Sequence, residues 1–154
     1  MDRPKLNELA HYAEIVAAIA VIVSLLYVGR QVQDNTAAIR SATVQSVADS
    51  SDSGLREIAA NEDLSRIRFI GDADYAALSE EQAYRYRMIM RGQWIRMQNI
   101  FAQRRIGVLE DSFWIMYSRI ICEIYKTPGV RTTWPVNKAV LETEFAEFVE
   151  SCAK

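Results

Sequence analysis

The sequence predicts an all-α protein in which a long N-terminal membrane helix continues into a small helical bundle. Three observations carry that expectation. Residues 9–29, LAHYAEIVAAIAVIVSLLYVG, are the stretch most nearly free of charge. Apolar residues elsewhere recur at spacings of three and four, and no run alternates as a half-buried strand would. The 154 residues suit one domain, and 18 Lys and Arg against 20 Asp and Glu leave a net charge of -2. That balance gives no general field toward nucleic acid or acidic surfaces, so no nucleic-acid partner is expected.

Ile15 to Gly29 carries no charged side chain. As a helix it spans about 22 Å, and starting at Leu9 lengthens it to about 31 Å, close to the ~30 Å hydrocarbon thickness of a bilayer. Ala, Val, Ile and Leu occupy the whole circumference from 15 to 28, with Ser24 the one polar side chain before Tyr27. A helix apolar all round needs lipid or complete burial, and a chain this short has little with which to surround it. Residues 1–29 are therefore read as a membrane anchor and 30–154 as the bundle. Tyr12 and Tyr27 fall where the two interfaces would lie, with Arg30 reaching water from one end and Arg3 and Lys5 from the other. Ala13, Ala17, Ala20 and Ser24 form a face of small residues against which another helix can pack closely. A cleaved leader is the competing reading. Bulky Tyr27 just before Gly29, and Glu8 and Glu14 within the leader, argue for a retained segment.

The bundle is expected as helices over about 30–60, 62–70, 80–105, 111–126 and 142–152. No Pro or Gly interrupts 30–48, and Val32, Thr36, Ile39, Thr43 and Val47 make a narrow seam. DSSDSG at 49–54 is rich in side chains that compete for backbone hydrogen bonds, which predicts a break or weak point, although LREIAA at 55–60 could continue the helix. Asn61 or Asp63 starts the next helix and Gly71 stops it. Ser79 followed by Gln82 has the capping-box spacing, and Gly107 lies just past the expected end at Arg105. Along 80–105, Ala83, Tyr86, Met90, Trp94, Met97 and Phe101 form a core face. Its other side carries Arg85, Arg87, Arg91, Arg96, Arg104 and Arg105. These either pair with acidic residues of 49–81 and 142–150 or meet anionic headgroups or an acidic partner.

VLEDSFWIMYSRIICEIYK, 108–126, has the broadest apolar face and is expected to be the most buried helix of the bundle, with Arg119 and Glu123 paired outside. Thr127-Pro128-Gly129 ends it, and VRTTWP, 130–135, is expected as a turn or one-turn helix whose Trp134 plugs the bundle. The last helix turns Leu141, Phe145, Phe148 and Cys152 inward, and Glu142, Glu144, Glu147 and Glu150 outward.

The sequence offers no Gly-rich phosphate loop, no HExxH and no ligand-spaced partner for its one histidine, so no catalytic residue, metal, cofactor or small-molecule substrate is assigned. Glu14 lies three residues from His11 and could share a proton with it. Cys122 and Cys152 lack CxxC spacing and read as separate buried thiols, not a disulfide framework.

The run AEIVAAIAVIVSLLYVGRQVQDNTAAIRSAT, with its QxxxNTxAxR segment (Gln31, Asn35, Thr36, Ala38, Arg40), together with FAQRRIGVLEDSFW, TPGVRTTW and EFAEFVES, resembles a family of small uncharacterised bacterial membrane-anchored all-helical proteins. The resemblance implies a bilayer-anchored helical protein and no particular chemistry. The expected function is non-enzymatic binding, as a homo-oligomer or as an accessory subunit of a larger membrane complex. The alternatives are a soluble ligand-binding bundle, and a membrane enzyme or ion pathway using Glu14 and His11. Arg3 and Lys5 balance Arg30 and Arg40, so basic residues do not decide orientation. Unpaired thiols would place the bundle on the cytoplasmic side of the inner membrane.

Overall fold

The computed structural model describes the backbone of residues 3–153 and the side chains from His11 onward. The interfacial roles expected of Arg3 and Lys5 thus lie outside the described residues. The helices are α1 (Arg3–Ala60), α2 (Glu62–Ala73), α3 (Glu80–Arg105), α4 (Asp111–Lys126), α5 (Pro128–Lys138) and α6 (Thr143–Ser151), with a 3-10 turn at Tyr75–Ala77 and no strand among the described residues. The all-α expectation holds. Two compact units divide after Ser41: residues up to 41, all from α1, and residues 42–154, the helical bundle.

α1 passes through DSSDSG without the expected break. The polar side chains there bond within or beside the helix instead of capping it. Gln45 donates to Asp49 over 2.8 Å, Arg56 pairs with Asp52 at 2.7 Å, Ser53 bonds back to the Ser50 carbonyl, and Ser51 shares a 3.2 Å hydrogen bond with the Tyr117 hydroxyl. Of the expected seam only the C-terminal end meets a neighbour. Val47 is buried with Ile100 and Leu109, whereas Val32 and Ile39 are exposed.

α2 starts as expected, with the Asn61 side chain accepting from the Leu64 amide at 3.1 Å. It does not stop at Gly71. That glycine is required for packing: a Cβ there would stand 2.4 Å from Cδ2 of Tyr86. Facing it is Gly129 of α5, where an added Cβ would fall 1.6 Å from the Gly71 carbonyl oxygen. α2 and α5 thus cross backbone to backbone, an approach only glycine permits.

α3 begins at the capping box. Ser79 Oγ accepts from the Gln82 amide, and Gln82 Oε1 accepts from the Ser79 amide. Gly107, with φ +77°, turns the chain away after Arg105, in the left-handed region that favours glycine. The expected core face is the real one: Tyr86, Met90, Trp94 and Met97 are buried, with Ala83 and Phe101 packed beside them. Trp134 plugs the bundle, its ring 5.0 Å from Trp94 and 5.4 Å from Tyr125. Each such aromatic contact adds about 0.5–1.5 kcal/mol beyond the area it buries.

Four further expectations need correction. Pro128–Lys138 form an 11-residue helix, longer than the turn or one-turn helix expected over 130–135, because Pro128 occupies its first position, where the missing N–H costs nothing. Pro135 inside α5 leaves one carbonyl without a partner, which is tolerable because Pro135 and Arg131 face water. α4 is not the most buried helix. Only Ile121 and Tyr125 are fully covered, while Met116 and Ile120 are 45% and 40% exposed. Glu123 pairs with Lys126 at 2.9 Å and not with Arg119. Cys122 and Cys152 form a disulfide with their Cα atoms 5.1 Å apart, tying α4 to the end of α6.

α5 and α6 are also held at Glu150, which accepts from Lys138 Nζ at 2.7 Å and from the Trp134 indole at 3.1 Å. The ammonium first, and the indole second, hold the Glu150 carboxyl below its ordinary pKa. A lowered folded pKa gives stability present above the unfolded value of about 4.3 and lost as pH falls through the folded one.

Two predictions follow from these contacts. Gly129→Ala should destabilise the fold by at least ~1–3 kcal/mol, since its methyl meets backbone. Gly92→Ala, with nothing nearer than 3.8 Å, should be neutral or stabilising. Thermal unfolding followed by circular dichroism separates the two. The stability difference between the parent and Glu150→Gln should be present at pH 6 and be lost as pH falls through the lowered pKa of Glu150, which chemical denaturation at each pH measures.

Candidate functional site

Three surfaces carry the residues singled out by the sequence. The first is on α1. Ala13, Ala17, Ala20 and Ser24 lie along one helical face, and Tyr12, Tyr27 and Arg30 flank it. Every described side chain from 11 to 40 is exposed, including Leu25, Leu26 and Tyr27 at 67–69%. His11 Nδ1 is 3.9 Å from Glu14 Oε2 on the helix surface. Among the described residues no group of three His, Cys, Asp or Glu is placed to hold a metal ion.

The second surface is the arginine-rich side of α3, and it divides. Arg85 pairs with Glu81 at 2.5 Å, Arg104 with Asp111 at 2.8 Å, and Arg105 with Glu144 at 2.6 Å and Glu142 at 3.5 Å. Arg87 donates to the Tyr75 hydroxyl instead. Among the described residues Arg91 and Arg96 have no carboxylate within salt-bridge distance. The six do not form one continuous cationic face.

The third surface was not legible as a site in the sequence. A cleft of about 490 Å³ lies among α1, α2, α3 and α4, within the size range of small-molecule pockets, ~300–1,000 Å³. Its apolar wall is Leu55 and Ile58 of α1, Met97 of α3, and Met116, Ile120 and Ile124 of α4. Here the under-buried face of α4 has its place. The hydrogen bond between Ser51 and Tyr117 lies at the cleft's edge.

The polar groups of the cleft are unequal. Arg68 Nε is 2.7 Å from Asp72 Oδ2, and Arg68 Nη1 donates to Gln93 Oε1 at 2.6 Å. The Tyr86 hydroxyl donates to the other Asp72 oxygen at 2.7 Å. Burial, reinforced by that carboxylate, pushes the Tyr86 phenol well above its ordinary pKa, so it stays a neutral donor. Asp72 is thus engaged on both oxygens and neutralises Arg68. Arg96 has no such arrangement. Its guanidinium lies over Gly54, where a Cβ would come within 2.9 Å of Cζ, so the one residue lacking a side chain leaves room for it. A second recess of about 370 Å³ shares Gly54, Ile58 and Arg96 with the first.

The signals for this site were present but ambiguous. Gly54 read as a helix weak point, and the wide apolar face of α4 read as core. Only the packing of α1 beside α3 shows that both serve the cleft. No protein-family model matches the chain, and no curated protein or solved structure matches it, so its own geometry is the basis for interpretation.

Proposed function

We propose that this protein is a single-pass membrane protein that acts by binding, as a homo-oligomer or as an accessory subunit of a larger membrane complex. The observation that carries the proposal is the exposure of α1. Among the described residues one helix is long and apolar enough to cross a membrane, and none of its most apolar window is buried within the chain. A core helix of a soluble bundle would be covered by its own protein; this one leaves Leu, Ile and Val side chains open around its circumference. Lipid or neighbouring helices supply the missing cover. The small-residue face of Ala13, Ala17, Ala20 and Ser24 suits a second helix, and Tyr12, Tyr27 and Arg30 suit the interfaces.

The cytoplasmic placement of the bundle rested on free thiols. The Cys122–Cys152 disulfide removes that support, because such bonds persist in oxidising compartments. The bundle is therefore proposed to face the oxidising side of the membrane. By the loop-entropy estimate, closing a loop of this length stabilises the fold by about 3–4 kcal/mol.

Two experiments test this reading. Purification from membranes in mild detergent should give a particle whose mass is a multiple of 17.5 kDa, or one with foreign subunits at fixed ratio. Recovery of a monomer from the soluble fraction of cells would overturn it. The intact mass should be two hydrogens below that of the reduced chain. Alkylation without reductant should label neither cysteine, and labelling of both would return the bundle to the reducing side.

A further inference from the structure

We propose that the cleft among α1, α2, α3 and α4 binds a single-chain anionic amphiphile, with its head group on Arg96 and its chain along Leu55, Met116 and Ile120. This concerns residues 42–154 and stands independently of how the preceding part of α1 is accommodated.

The charge of the cleft selects an anion. Of its three charged side chains, Arg68 and Asp72 cancel within one salt bridge, and both Asp72 oxygens already accept hydrogen bonds. Arg96 is left as a net positive charge, with no carboxylate within salt-bridge distance among the described residues. A guanidinium presents its donors as a planar fork, which two oxygens of a carboxylate or phosphate match. The absent side chain at Gly54 keeps that fork clear of α1.

The remaining wall selects a chain. Leu55, Met116 and Ile120 are 67%, 45% and 40% exposed although they line a concavity, an arrangement that leaves apolar surface in water until something covers it. Met97 and Met116 are adaptable side chains suited to a flexible partner.

The cleft's volume of about 490 Å³ lies in the range of small-molecule sites, and a wall that is apolar beside one unneutralised guanidinium suits a single chain with one anionic head.

The test uses the full chain in phosphatidylcholine nanodiscs, titrated with 11-(dansylamino)undecanoate and followed by energy transfer from tryptophan. Saturable binding at one probe per chain, above that of empty nanodiscs, is expected. The methyl ester of the probe, which keeps the chain and lacks the charge, should bind at least tenfold more weakly. Arg96→Gln should weaken the acid at least tenfold and the ester little. Arg85→Gln, whose arginine is already paired with Glu81, should change neither. Ile120→Trp, which fills the cleft, should abolish binding of both. Equal binding of acid and ester, equal losses in Arg96→Gln and Arg85→Gln, or full binding in Ile120→Trp would each overturn the proposal. The ester comparison needs no variant, so a misfolded substitution leaves the test intact.

Discussion

The crossing of α2 and α5 at Gly71 and Gly129 is the constraint on which the bundle depends. With no side chain on either residue the two backbones touch, and Tyr86 of α3 fills the space beside them. That contact sets how deeply α5 enters. From there Trp134 is carried against Trp94, and Trp94 in turn meets Phe145 of α6 at 6.3 Å. A larger residue at either glycine would lift α5 away and separate this aromatic group. The core is therefore built around α3, with α2, α5 and α6 closing on its Tyr86–Met97 face.

The parts of this fold legible in the sequence are those decided within a few residues. The Ser79 capping box, the Gly107 exit and the periodic face from Ala83 to Phe101 depend on local bonding and on helical spacing, and the structure contains all three. The plug at Trp134 was legible for another reason: a tryptophan between apolar helices has few other places to go. What failed needed information from a distant segment. Gly71 looks like a helix stop until Gly129 lies opposite it. Pro128 looks like an end until a helix is seen to start there. Cys122 and Cys152 carry no spacing signature, and only the arrangement of α4 and α6 brings them into bonding range.

The candidate site was less legible than the fold, because each of its parts has an ordinary reading when taken alone. Arg96 belongs to a run of arginines, several of which are neutralised by acids. It shares with Arg91 the lack, among the described residues, of a carboxylate within salt-bridge distance; what sets it apart is the lack of a side chain at Gly54, an absence that no motif encodes. The apolar face of α4 is wider than its contacts with the core require, and the surplus faces the cleft. A sequence pattern reports that a face is apolar; it does not report what covers it.

Two of the apolar surfaces exposed among the described residues differ in their chemistry. On α1 the exposed side chains run round the whole helix, with no charged residue between Ile15 and Gly29, so only a continuous apolar medium or other apolar helices can satisfy them. In the cleft the exposed wall is one-sided and ends at a guanidinium. A purely apolar occupant would bury that charge without a partner, a cost of several kcal/mol for an ion taken out of water. A purely polar one would leave Met116 and Ile120 wet. The two surfaces therefore call for different occupants. Under the proposed function the first is a solvent problem, met by lipid or by other helices; under the proposed binding the second is a recognition problem, met by a molecule that carries both an anion and a chain.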